Sequence, residues 1–232
     1  MKRIAIVLLV LTLTVCFAAG CGKLSDRDTP PEETTTPAPE ETTTPADTES
    51  QQVSVDPVTM ASSGLVFESA GDGTCRVTAM GSCTDTCLII PDKSPAGDAV
   101  TAIASGAFAG NTLINAVQIP AGVSLIGDGA FAACPALSYI SVTDGNSAYC
   151  DVGGMLYSKD MTKLLCVPAG NKLSSLTITL QVTSVAPRAT EGCKLTKIMF
   201  EGTEEQWGRI VIGEANDPLK AITPTYMKQS GK

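Results

Sequence analysis

A 23-residue echo constrains this chain more than any other feature: Val100-Thr-Ala-Ile103-Ala-Ser-Gly-Ala107-Phe108 returns as Val123-Ser-Leu-Ile126-Gly-Asp-Gly-Ala130-Phe131, with every apolar anchor displaced by the same interval. Self-similarity at a period of roughly 20 to 29 residues is the pattern of a solenoid. One short unit recurs, and each copy buries its apolar side against its neighbours instead of inside a core of its own.

The copies share an apolar-x-apolar segment, then Val-x-x-Ile, then Ala-Phe, with a Cys three residues on at Cys134 and Cys193. The apolar segments are Leu88-Ile89-Ile90, Val117-Gln118-Ile119, Ile140-Ser141-Val142, Leu176-Thr177-Ile178 and Ile198-Met199-Phe200. Alternation at period two puts the outer residues inside and the middle one outside. The expectation is therefore about five coils stacked into one parallel ladder. Its exposed stripe, Ile89, Gln118, Ser141, Thr177 and Met199, has no formal charge. With strands about 4.8 Å apart, it would be about 20 Å long and would suit a short peptide, a glycan segment or a small protein contact. On the return limb Ile126, Ala130 and Cys134 fall four apart and predict one face of a helical turn. Thr190 takes the place of the recurrent Phe, so packing is expected to be weakest in that coil.

Val142 and Ile178 lie 36 residues apart where 23 is the rule, so about 13 residues are inserted. Alternation over Tyr149–Val152, Met155–Ser158 and Lys163–Val167 predicts hairpins there. An insert leaving a solenoid usually projects from one face, often the binding face, and Tyr149 and Tyr157 are its candidate anchors. Open stacks need covers at both ends. Leu65–Ala79 reads as a hairpin at the front. At the back, Thr203-Glu204-Glu205-Gln206 is a capping box that starts a short helix and brings Trp207 across the last coil.

The chain opens with Met1-Lys2-Arg3 and a largely apolar run from Ile4 to Ala19, a secretory signal that is shorter than the roughly 20 residues a membrane-spanning helix needs. It closes on Ala18-Ala19-Gly20-Cys21, which resembles the lipobox of bacterial lipoproteins, with Ala18 where Leu is usual. That resemblance implies diacylglycerol on Cys21. Ordinary cleavage and free secretion is the other reading. Residues 25–50 contain the duplication Pro31-Glu-Glu-Thr-Thr-Thr-Pro-Ala38 and Pro39-Glu-Glu-Thr-Thr-Thr-Pro-Ala46, with eight carboxylates and one Arg. Such a tract cannot build a core and reads as an acidic, extended tether. Residues 51–232 carry sixteen acids and twelve bases without the basic stripe that a nucleic-acid partner requires.

The chain has no His, which removes Ser-His-Asp and Cys-His catalysis and the helical zinc motif together. Glu204 and Glu205 are adjacent and would point to different sides of a helix, so they do not make a carboxylate pair. No enzyme, metal or cofactor is expected. Seven cysteines follow Cys21, an odd number that fits core residues better than a complete disulfide framework. Cys134 and Cys193 hold equivalent inward positions. Cys83 and Cys87 are spaced for a local bridge. Asp144-Gly145-Asn146 is better read as a turn than as a calcium loop.

The pattern Val-x-x-Ile-Gly-x-x-Ala-Phe-x-x-Cys with Ile-Pro strands resembles the BspA-like leucine-rich repeat over about residues 63–225. The resemblance implies a mainly β member of the α/β class, a right-handed solenoid with a parallel strand face, found on bacterial surface proteins of which some are adhesins. The expected organisation is a signal at 1–20, a linker at 21–62, the repeat domain at 63–225 and a tail at 226–232. The expected role is non-covalent binding of an extracellular protein or glycan at the membrane surface, through the strand face and the insert. The alternative is a structural or self-associating envelope component.

Overall fold

The computed structural model describes residues 61–227, which lie within the unit Ser54–Lys232. The signal, Cys21 and the tether fall outside the described residues. The chain opens with a hairpin of β1 (Val66–Ser69) and β2 (Thr74–Ala79), followed by β3 (Cys87–Ile89), β4 (Ala99–Ile103), β5 (Ala116–Ile119), β6 (Leu125–Ile126) and β7 (Tyr139–Val142). A second hairpin, β8 (Tyr149–Val152) and β9 (Met155–Ser158), comes next. It is followed by β10 (Lys163–Cys166), β11 (Ser175–Ile178), β12 (Ser184–Val185) and β13 (Lys197–Phe200). Helix α1 (Glu204–Trp207), β14 (Val211–Ile212), helix α2 (Asp217–Lys220) and β15 (Thr225–Tyr226) complete it.

From β2 onward the chain alternates between two parallel ladders, leaving the second hairpin aside. β3, β5 and β7 pair in register, with Leu88 beside Val117 beside Ile140. β11, β13 and β15 repeat the arrangement. On the other side β2, β4 and β6 form one ladder, and β10, β12 and β14 form another. The mainly β solenoid with parallel strands is thus present. It has six rungs among the described residues where the apolar segments predicted five, because Ile212-Gly213 and Thr225-Tyr226 build one more coil than the pattern revealed. Trp207 accordingly packs edge to face on Phe200 at 5.4 Å with a further coil beyond it.

The expected single ladder is two. The hairpin β8–β9 sits between β6 and β10: β9 pairs antiparallel with β10 and with β8. The insert therefore does not project from the stack; it is a layer within it. Successive residues of a strand point to opposite faces, and in β9 this places Leu156, 0% exposed, in the front core and Tyr157, 5% exposed, in the rear core. A strand buried on both faces is held by apolar contact from each side, which accounts for its run of large side chains.

The return limbs are tight turns in place of the predicted helical turn. Ala130 N–H donates to Gly127 O and Ala132 N–H to Gly129 O, three residues back in each case. Phe108 N–H donates to Ala130 O of the next coil, and Gly110 N–H to Ala132 O. Spending these donors between coils welds adjacent turns together and leaves none for an α-helix. Ile126, Ala130 and Cys134 still face inward, and Phe108 stacks on Phe131 at 5.5 Å with the rings nearly parallel.

Thr190, where the spine loses its Phe, is 0% exposed. Its N–H and Oγ1 both donate to Asn216 Oδ1, at 2.9 and 3.1 Å. Asn216 Nδ2 in turn donates to Ala186 O and Gly213 O. The predicted weak coil is therefore closed by a satisfied polar network in place of a ring.

Candidate binding surface

Period-two alternation leaves Cys87 and Ile89 of β3, Ala116 and Gln118 of β5, and Tyr139 and Ser141 of β7 on the outer face of the front ladder. Their neighbours Leu88, Val117 and Ile140 are at most 1% exposed. The register aligns Ile89, Gln118 and Ser141 across the three strands. Thr177 and Met199 align with each other and with Thr225 in the rear ladder. The stripe predicted as five residues is thus two shorter stripes, separated by the layer that the second hairpin inserts.

The front stripe carries the more developed surface. A hollow of about 230 Å³ lies over it, lined by Ile89, Pro91, Asp92, Gln118, Pro120 and Thr143 among others. Gln118 Nε2 reaches Thr143 Oγ1 at 3.4 Å, and Ser141 Oγ donates to Val117 O at 3.2 Å. Ser62 closes the free edge of β3: its N–H donates to Ile89 O at 2.8 Å and its Oγ accepts Ile89 N–H at 3.0 Å. The folded part thus includes Ser62, and the chain enters beside the hollow. A larger groove of about 710 Å³ lies at the opposite end along the start of α1. Its Glu205 and Arg209 are already joined in an ion pair.

Tyr149 and Tyr157, the anchors expected of the insert, are 8% and 5% exposed and cannot meet a ligand. Burial pushes both phenols above their ordinary range. Among the described residues the exposed aromatic is Tyr139 at 47%, which sequence reasoning missed. Its signal was available, since it precedes Ile140 by one and must face outward with Ser141. Asp151 reaches the same edge: its Oδ1 accepts Val142 N–H at 2.9 Å, and its Oδ2 lies 3.5 Å from the Tyr139 hydroxyl.

Asn146 is 1% exposed and spends its amide on four backbone partners, donating to Pro120 O and Val123 O and accepting from Ala148 N–H and Tyr149 N–H. It is a staple between coils and has no oxygen free for a cation. Among the described residues no three His, Cys, Asp or Glu side chains are grouped to hold a metal ion. The seven cysteines are free thiols, Cys83 and Cys87 included. Burial raises Cys134, raises Cys166 further and pushes Cys193 up to about 11. A thiol held protonated is a poor nucleophile. Cys134 and Cys193 instead donate to carbonyls of other coils, Phe108 O and Val167 O.

Residues 87–151 match the model of the BspA type leucine rich repeat region in six copies. No curated protein matches the chain. Among solved structures, the chain is similar to a leucine rich cell surface protein from Faecalibacterium prausnitzii, with 25% identity over 63% of this chain and 40% of that one, at a TM-score of 0.43. It is also similar to the pneumococcal vaccine antigen PcpA, with 23% identity over 50% of this chain and 27% of that one, at a TM-score of 0.44. A third similarity is to a leucine-rich-repeat protein of T. pallidum, with 16% identity over 69% of this chain and 80% of that one, at a TM-score of 0.42. The chain thus spans well under two thirds of the first two of these proteins.

Proposed function

We propose that this chain, whose residues 87–151 match the BspA type leucine rich repeat region, is a surface-displayed binding module that holds an extracellular protein or glycan without covalent chemistry. In this reading the N-terminal segment directs export and Cys21 carries the lipid. Two or more acyl chains at about 0.8 kcal/mol per buried methylene hold such a domain on a membrane. The acidic Thr/Pro/Glu tract spans at most about 80 Å at roughly 3.1 Å per residue and lifts the repeats away from the lipid. The binding surface is the outer face of β3, β5 and β7.

The observation that carries this reading is the in-register, uncharged row Ile89, Gln118 and Ser141 beneath a hollow of about 230 Å³. Regular secondary structure presents a row of side chains at fixed spacing, which suits recognition better than a mobile loop does. The test is retention on immobilised extracellular-matrix proteins and cell-wall glycans, comparing the wild type with Gln118→Arg. Enrichment by the wild type that Gln118→Arg abolishes supports the assignment. No enrichment over a variant with a scrambled outer face, or full retention by Gln118→Arg, rejects it.

One observation favours a second reading, self-association within the envelope. β14 and β15 each pair on one side only among the described residues, and Val211 is 69% exposed. An open strand edge is a template for another chain. Concentration-dependent oligomers that Val211→Lys dissolves would place the protein in that class.

A further inference from the structure

We infer that the front strand face takes a neutral oligosaccharide, with Tyr139 as its stacking platform and Gln118 as its polar anchor. This rests on the assignment of that face as the binding surface and names what it binds. Tyr139 is exposed but held in place. A Cβ on Gly154 would come within 2.5 Å of the Tyr139 ring, so the ring packs against bare backbone at a position only glycine permits. Gly154 has φ of 79°, a second reason for the residue. At the ring's other end the hydroxyl approaches Asp151 Oδ2 at 3.5 Å, and Asp151 is itself fixed by accepting Val142 N–H at 2.9 Å. An aromatic ring so placed offers a flat carbon face with little conformational entropy left to lose.

Charge and area decide what the face takes. The outward side chains Cys87, Ile89, Ala116, Gln118, Tyr139 and Ser141 are all uncharged. An anionic ligand docking there would meet no cation in the row and would face the carboxylates of Asp92 and Asp151 beside it, a cost a neutral ligand avoids, while those oxygens can accept from hydroxyls. The three rungs cover about 14 Å by 13 Å, or roughly 180 Å². A standard protein interface buries about 800 Å² per partner, so the face is too small for one and fits a chain of a few sugar rings.

The polar groups match hydroxyls. Gln118 Nε2 makes only a long contact to Thr143 Oγ1, 3.4 Å, so the amide has a free N–H and a free carbonyl. Ser141 has given its proton to Val117 O and can only accept. Sugar hydroxyls serve as donors and acceptors alike. The diagonal from Tyr139 to Gln118 is about 8 Å from strand spacing and rise, a span of about two rings. The hollow beyond Gln118, about 230 Å³, receives the next.

The test applies the full chain to an array of immobilised neutral di- to hexasaccharides of glucose, galactose, mannose and N-acetylglucosamine. It compares wild type, Tyr139→Ala, Tyr139→Phe, Gln118→Ala and the control Leu125→Ser on β6 of the opposite ladder, each checked for its urea midpoint. At least one oligosaccharide should bind, with Tyr139→Ala and Gln118→Ala each weakening it about tenfold or more, equivalent to 1.4 kcal/mol. Tyr139→Phe should recover most of what Tyr139→Ala loses, and Leu125→Ser should match wild type. No oligosaccharide bound, or binding indifferent to Tyr139→Ala and Gln118→Ala, overturns the inference. If matrix proteins bind and Gln118→Arg abolishes that while no sugar binds, the oligosaccharide is wrong and the face is right. If sugars bind and all front-face variants retain them, the face itself is wrong.

Discussion

The hydroxyl of Tyr149 stands 2.8 Å from the backbone nitrogen of Ile126 and accepts its N–H. The same hydroxyl lies 3.4 Å from Ser124 O and donates to it. A side chain thus fills the place that the next strand would take at the free edge of β6. This is how a parallel ladder can stop in mid-stack without leaving buried backbone groups unpaired. Tyr149→Phe keeps the ring and deletes the partner, so it should cost about 1–3 kcal/mol through the orphaned N–H. Urea unfolding measures it, and an unchanged midpoint would mean that water replaces the hydroxyl.

Asn216 does for the rear coils what the stacked Phe108 and Phe131 do for the front ones. Asn216→Ala removes the acceptor of two Thr190 donors and the donor to Ala186 O and Gly213 O. The expected loss is on the order of 2–4 kcal/mol, because several buried polar groups are stranded at once. Replacing Thr190 by Phe in the hope of extending the spine should also destabilise, since Thr190 is fully buried and overpacking typically costs about 1–3 kcal/mol. Thermal melts of the two variants decide both points.

The turn of each return limb opens on a left-handed residue, filled by Gly106, Gly129, Arg188 and Ala215 in successive limbs, with φ of 66°, 65°, 61° and 53°, and the first three limbs place another four residues on, at Gly110, Ala133 and Gly192. Glycine adopts this conformation freely, while other L-residues pay roughly 1–2 kcal/mol. Ala215 is exposed, so Ala215→Gly forfeits no packing. After glycine's larger entropy loss on folding a gain of about 0.5–1 kcal/mol should remain, read as a higher melting temperature. Arg188→Gly relieves the same strain but also gives up the ion pair with Glu191, so it should gain less.

Alkaline pH should weaken the fold. Burial holds Cys193 at about 11 against an ordinary 9 and raises Cys166, Tyr149 and Tyr157 as well. A group whose folded pKa is raised stabilises fully below its unfolded value and loses that contribution as pH climbs towards the folded one. For Cys193 this window runs from about 9 to about 11. The urea midpoint should fall between pH 9 and pH 11, and Cys193→Ala should flatten that fall.

The buried thiols and Cys87 should also separate chemically. Cys87 is exposed and Cys166 is buried. Under native conditions at pH 8, alkylation followed by peptide mapping should label Cys87 first, with Cys166 modified only after unfolding. Labelling at equal rates would mean that the coils open far more readily than their packing implies.

The repeat, and all that follows from local periodicity, can be read from the residues alone. A period of 23 residues set the coil, alternation set which of Leu88, Ile89 and Ile90 faces inward, and the glycine positions marked most of the left-handed turns. Thr203 and Gln206 marked the capping box that starts α1. These are short-range properties in which each residue answers to neighbours a few places away. Long-range packing alone makes the ladder break in two, puts the hairpin with Tyr149 and Tyr157 inside the stack, and leaves Tyr139 as the aromatic in the open among the described residues. Those outcomes rest on contacts between residues more than twenty places apart, such as Tyr149 with Ile126 and Asn216 with Thr190. The alternation of a strand states that two faces exist. Whether one or both will be covered depends on what the rest of the chain brings against it.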